Sequence, residues 1–120
     1  MNHAYIYELF DPRQPEIPRV VGKTIMSLAA RLSGYIFIAK YRQARGGPLV
    51  PSAAWVIQLL SEGVSPHIRT IEKCPFAEWQ NRERFWIATY RSRGLQLLNV
   101  HPGGGGRTGG TSLPDSQLKK

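Results

Sequence analysis

A strand that is apolar on both faces has to be covered on both faces, and Ala4 to Phe10 reads that way. Tyr5, Tyr7 and Leu9 fall on one side of an extended chain, and Ala4, Ile6 and Phe10 fall on the other. Period-two alternation of this kind predicts a strand at the centre of a sheet rather than at its edge. The chain must therefore supply a neighbour on each side. Asp11-Pro12 and Pro15 break the direction, and Pro18 forces an extended backbone before it. Arg19-Val20-Val21 is short and β-branched, which suits a second strand returning beside the first. Gly22-Lys23-Thr24 closes that strand, and a helix begins near Ser27. Such a junction gathers backbone N–H groups and an ammonium at one end of a sheet, where a phosphate can sit. It is not a nucleotide-binding P-loop, because the upstream glycine of that pattern is missing. The structural alternative makes Gly22 a turn residue, Lys23 a solvated charge and Thr24 or Ser27 a helix N-cap.

Beyond the junction the periodicity changes to helical. Leu28, Leu32, Tyr35 and Ile36 define one face of a helix from Ser27 to about Tyr41, with Arg31 on its margin. Gln43 to Pro51 reads as a polar, Gly/Pro-rich loop. Lys40, Arg42 and Arg45, grouped around its start, are either solvated surface or contacts to a phosphate backbone. Pro51-Ser52 starts a second helix with an apolar stripe of Trp55, Val56, Leu59 and Leu60, and Gly63 ends it. Pro66 to Lys73 reads as a third strand, with Ile68 and Ile71 on opposite faces. A third helix spans about Ala77 to Arg93. Its stripe runs Trp79, Glu83, Trp86, Tyr90, so Glu83 stands in line with three aromatics. A carboxylate there loses hydration and needs a basic partner or a cation. Residues 1–102 are read as one domain. From Gly103 to Lys120 the composition is Gly, Ser, Thr, Pro and charge, which predicts a flexible, mildly basic tail.

Composition narrows the partners. Sixteen Lys+Arg against eight Asp+Glu give a formal net charge of +8 on 120 residues. That balance favours an anionic partner, nucleic acid before membrane. Cys74 is the single cysteine and cannot form an internal disulfide, which suits a reducing compartment. There is no zinc-type cluster of cysteine and histidine, no apolar run long enough for a bilayer, and no signal-peptide pattern. The expectation is an intracellular, cytoplasmic protein.

With these residues in order, the chain from about Ala4 to Gly106 resembles the GIY-YIG nuclease family. The match is carried by the Tyr5-Ile6-Tyr7 strand, Val20-Val21-Gly22-Lys23-Thr24, Ser27-Leu28 and Arg31-Leu32. It continues through Trp55 with Leu59-Leu60, Glu83 before Trp86-Ile87, and Leu97-Leu98-Asn99 followed by glycines. The resemblance implies a small α/β (α+β) domain, a three-stranded antiparallel sheet flanked by helices. It also implies metal-dependent hydrolysis of DNA phosphodiester bonds with one Mg²⁺ or Mn²⁺. The family's metal-binding glutamate falls on Glu83, its essential arginine on Arg31 and its late asparagine on Asn99. The tyrosine of its first motif falls on Tyr7, and the lysine after its second motif on Lys23. One carboxylate plus waters suits Mg²⁺. Arg31 can fork onto phosphate oxygens, and Lys23, Arg31 and the cation together should lower the pKa of Tyr7.

Two departures bear on activity. Tyr5 replaces the first glycine of the first motif, which a strand tolerates. Val20 replaces a tyrosine of the second motif, and valine cannot accept a proton. Tyr35 stands where related sequences often have histidine. The alternative is a catalytically impaired DNA-binding or protein-interaction module on the same fold; a basic RNA-binding protein is the third reading. The domain leaves no room for a separate targeting unit, so specificity would come from a protein partner or be low.

Overall fold

The structure is a computed structural model that describes residues 2–100 and 103. Its elements are β1 (His3–Phe10), β2 (Pro18–Thr24), α1 (Leu28–Arg45), α2 (Pro51–Ser61), β3 (His67–Pro75) and α3 (Trp79–Ser92). A 3₁₀ turn, Phe76–Glu78, leads into α3. The sheet has the order β2-β1-β3 with both pairings antiparallel, so β1 is the central strand. The fold is α+β, as the two-sided apolar pattern of β1 requires.

Each face of β1 has its own cover. Ala4 and Ile6 pack with Val21, Cys74, Ile87, Tyr90 and Leu97 beneath α3. Tyr7 and Leu9 pack with Val20 beneath Leu28, Leu32 and Tyr35 of α1 and Trp55 of α2. Ala39, Ala53 and Val56 join α1 to α2. Full burial of side chains such as Ile6 and Leu9 stabilises the fold by about 1.5–3 kcal/mol each. A bulge between Ile6 and Tyr7 shifts the register against β3. Ile68 joins the Tyr7 cluster and Ile71 the Ile6 cluster, on opposite faces.

Three boundaries differ from the sequence reading. Helix α1 continues to Arg45, so Arg42 and Arg45 lie in its last turn and not in a loop. Their charges belong there, because cations are favoured at the carbonyl end of a helix. The helix stops at Gly46, which adopts φ 82° as its cap, a conformation that favours glycine. At the other end the Ser27 hydroxyl accepts from Ala30 N at 3.0 Å and is the N-cap; Thr24 instead accepts from Met26 N in the preceding turn. Strand β3 runs on to Pro75, and α3 starts at Trp79 behind its 3₁₀ turn. The tail assigned to 103–120 lies outside the described residues apart from Gly103, which lies close against Ile87 and Arg84.

Glu8 is a carboxylate buried among these layers, 3% exposed. It accepts from Arg69 Nε at 2.6 Å and from the Tyr90 hydroxyl at 2.6 Å, tying β1 to β3 and α3. Arg69 also reaches the Pro15 carbonyl oxygen. Glu8→Ala strips the buried Tyr90 hydroxyl of its acceptor and releases Arg69, whose side chain is partly exposed and can turn to water. The expected cost is about 2–3 kcal/mol, read as a lower denaturant midpoint at unchanged slope.

Candidate functional site

The site grows from a single pairing in the sheet. Tyr7 on β1 stands opposite Gly22 on β2. Its ring lies across the partner strand so closely that a Cβ on Gly22 would sit 2.3 Å from the Tyr7 hydroxyl and 2.5 Å from Cζ. Gly22 is therefore not the turn residue that its sequence neighbours suggest. It is inside β2, and it is glycine because the phenol occupies the place of a side chain.

Helix α1 brings two groups to that phenol. Arg31 and Tyr35 are one turn apart and share a face. The Arg31 Nε donates to the Tyr7 hydroxyl at 3.0 Å, and the Tyr7 and Tyr35 hydroxyls lie 2.9 Å apart. The two tyrosine rings meet edge to face, with centroids 6.2 Å apart. Tyr7 is fully buried, while Arg31 and Tyr35 keep partial exposure. Tyr35 thus joins the site as the phenol nearer solvent; in the sequence it is marked by its place one turn after Arg31 and by standing where similar sequences often have histidine.

Burial decides the chemistry of Tyr7. It pushes the phenol well above its ordinary pKa, Tyr35 adds to the rise, and Arg31 opposes it without prevailing. Among the protein's own groups, burial and Tyr35 outweigh Arg31, so the phenol's pKa is raised and not lowered. Taking a phenolate out of water costs more than one guanidinium returns. Tyr7 is a neutral hydroxyl that holds Arg31 in place.

On the α3 side of the sheet, Lys23 follows Gly22 and places its ammonium 4.3 Å from the centre of the Trp79 ring. Glu83 lies one turn further along α3 and is half-buried. Lys23 is electrostatically coupled to both sides of the site. Burial lowers its pKa first, Arg31 lowers it further, and Glu83 pulls it partly back. Four elements thus carry the candidate residues, Tyr7 from β1 and Arg31 from α1 on one face of the sheet and Lys23 from β2 and Glu83 from α3 on the other, with Lys23 electrostatically linked to both Arg31 and Glu83.

Asn99 acts at one remove. Its Oδ1 accepts from Val21 N at 2.9 Å and its Nδ2 donates to Val21 O at 2.7 Å. With Leu98 N donating to Arg19 O at 2.6 Å, the segment after α3 covers the outer edge of β2. Asn99 fixes the strand next to Gly22 and is a positioning residue. Lys40, Arg42 and Arg45 are exposed on the far half of α1. At 1.5 Å per residue they stand roughly 13–21 Å along the helix from Arg31, outside the cluster.

Among the described residues no group of three or more His, Cys, Asp or Glu could hold a metal. A cation at this site would have Glu83 as its carboxylate ligand, with water completing the shell. A single half-exposed carboxylate fits Mg²⁺, which keeps most of its hydration. Cys74 is buried as a free thiol in the core beneath α3. No described helix is long and apolar enough to cross a membrane.

No protein-family model, no curated protein and no solved structure matches the chain.

Proposed function

We propose that the chain is a GIY-YIG-type endonuclease that hydrolyses DNA phosphodiester bonds with one divalent cation, Mg²⁺ or Mn²⁺. The observation that carries this reading is the hydrogen-bonded cluster of Arg31, Tyr7 and Tyr35 across the strand pair from which Lys23 reaches the ring of Trp79, one turn before Glu83. Glu83 would hold the cation, which when bound supplies Lewis-acid polarisation of the phosphate and neutralises the leaving oxygen. Arg31, oriented through its Nε by Tyr7, presents its Nη groups to the non-bridging oxygens and stabilises the charge that builds there. Lys23 adds a second positive contact. Tyr35 is the phenol nearer solvent, and its hydroxyl would orient an attacking water by hydrogen bonding while the water's proton passes to solvent. Supercoiled plasmid should be nicked in Mg²⁺ or Mn²⁺ and left intact in EDTA; cleavage that is indifferent to EDTA contradicts the reading.

A pH dependence follows from Lys23. Phosphate contact needs its charged form, and its pKa is held below the ordinary lysine value. Affinity therefore falls as pH rises through that lowered pKa, earlier than for a free lysine near ~10.4. DNA affinity followed by anisotropy in EDTA should show this loss, and Lys23→Arg should move it to higher pH. Identical alkaline profiles for both proteins would remove Lys23 from the phosphate contact.

A second reading is favoured by two specific observations: Val20 is a buried core residue with no proton to exchange, and Tyr7 is held protonated. On that reading the same site binds DNA without cutting it. Salt-sensitive binding that persists in EDTA, with no nicking in any divalent metal, decides for it.

A further inference from the structure

We infer that the outward face of α1 is a stacking platform for unpaired nucleotides, so that the substrate is DNA with a single-stranded segment. The inference rests on the DNA-directed reading of the Arg31 site and names the substrate class for it.

Phe37 is 65% exposed and Tyr41 50% exposed, on a helix whose opposite face is fully used by the core. Their rings stack at 6.1 Å with 15° between planes. Arg45 extends the ladder by one more turn: its guanidinium lies 5.5 Å from the Tyr41 ring centre, and its Nη1 donates to the Tyr41 hydroxyl at 3.1 Å. Three flat groups spaced four residues apart are thus ordered in advance with their outer surfaces in water. Large exposed aromatics carry a hydration cost, so a face built of them marks an interaction surface.

Charge identifies the occupant. From residue 17 to residue 61 the chain has no acidic side chain, and Arg19, Lys23, Arg31, Lys40, Arg42 and Arg45 all fall within it. A protein interface core is depleted of charge, whereas this ladder is interleaved with Lys40, Arg42 and Arg45. A polyanion with flat faces satisfies both features, and every unpaired base offers such a face. In a duplex those faces are spent on neighbouring bases.

Gly34 supplies the path. It lies between Arg31 and Phe37 in mid-helix, where an added Cβ would meet nothing within 4 Å. Neither packing nor a turn accounts for a glycine that costs a helix about 1 kcal/mol relative to alanine. A low point on the helix surface lets a strand pass from a phosphate at Arg31 to the platform. Along the axis Phe37 and Tyr41 are roughly 9 and 15 Å from Arg31, a few nucleotides away.

The test measures affinity by anisotropy in EDTA, so that no cleavage is required, for a single-stranded DNA oligonucleotide, the blunt duplex and a matched RNA strand. The paired substitution Phe37→Leu with Tyr41→Leu keeps the face apolar and removes the rings; a thermal melt checks that folding is unchanged. Single-strand affinity should fall by about tenfold or more, duplex affinity by less than about threefold, and RNA should bind no tighter than DNA. Equal losses on strand and duplex, or no loss, overturn the platform. So do a self-association that the substitutions abolish and a preference of this face for anionic vesicles. Nicking in Mg²⁺ with no effect of the leucines sinks the platform alone. Ring-dependent strand binding without nicking in any metal sinks the nuclease alone.

Discussion

Arg31→Ala is expected to slow plasmid cleavage by about 10²–10³-fold while leaving the melting temperature within a few degrees of wild type. The guanidinium does two things at once. Its Nε occupies the Tyr7 hydroxyl at 3.0 Å, and its remaining N–H groups are the ones a phosphate can meet. Lysine should not restore activity, because an ammonium cannot hold the phenol and fork onto phosphate together. Stability changes little because Arg31 sits on the margin of α1, outside the Leu28, Leu32, Tyr35 stripe that packs on the sheet. A rate loss accompanied by wholesale unfolding would make Arg31 a structural residue, and full rescue by lysine would make it only a positive charge.

Gly22→Ala should be the most damaging single methyl in the chain. The new Cβ would lie 2.3 Å from the Tyr7 hydroxyl, and the ring has nowhere to go because Tyr7 is completely buried under α1 and α2. Overpacking of this kind costs about 3 kcal/mol, enough to lower the melting temperature by more than ten degrees in a domain of roughly this size. The partner substitution Tyr7→Leu shortens the side chain and is itself costly. In the double variant the two penalties should not add, leaving a coupling of about 1 kcal/mol or more in the compensating direction. Simple additivity would mean that Gly22 and Tyr7 do not compete for the same space.

How far the sequence foretells this arrangement depends on whether the deciding interaction is local. The two apolar faces of Ala4–Phe10 are a local property, and they demand a central strand with helices on both sides. The Ser27 cap and the Pro51 start are similarly local. The apolar stripe of α1 stops near Tyr41 because Arg42, Gln43 and Arg45 do not extend it; the last turn rests on the dipole and on Gly46, neither of which has a period. Gly22 looked like a turn because Gly-Lys-Thr precedes a helix, whereas its reason lies across the ladder in Tyr7. The identities of Tyr7, Lys23, Arg31, Glu83 and Asn99 as candidates came with the family resemblance. Their electrostatics did not. The direction of the Tyr7 shift is set by how deeply Leu28, Leu32 and Trp55 bury it, a long-range outcome that outweighs the adjacent arginine. The coupling of Lys23 to Trp79 and Glu83 likewise joins residues more than fifty positions apart.

The most direct measurement is the initial rate of supercoiled plasmid nicking in Mg²⁺ by the wild-type chain and by Glu83→Gln, which keeps the shape of the side chain and removes its charge. The nuclease account predicts metal-dependent nicking by the wild type and a loss of at least ~10²-fold in the variant, with DNA binding in EDTA retained. Equal nicking by the two proteins would contradict it.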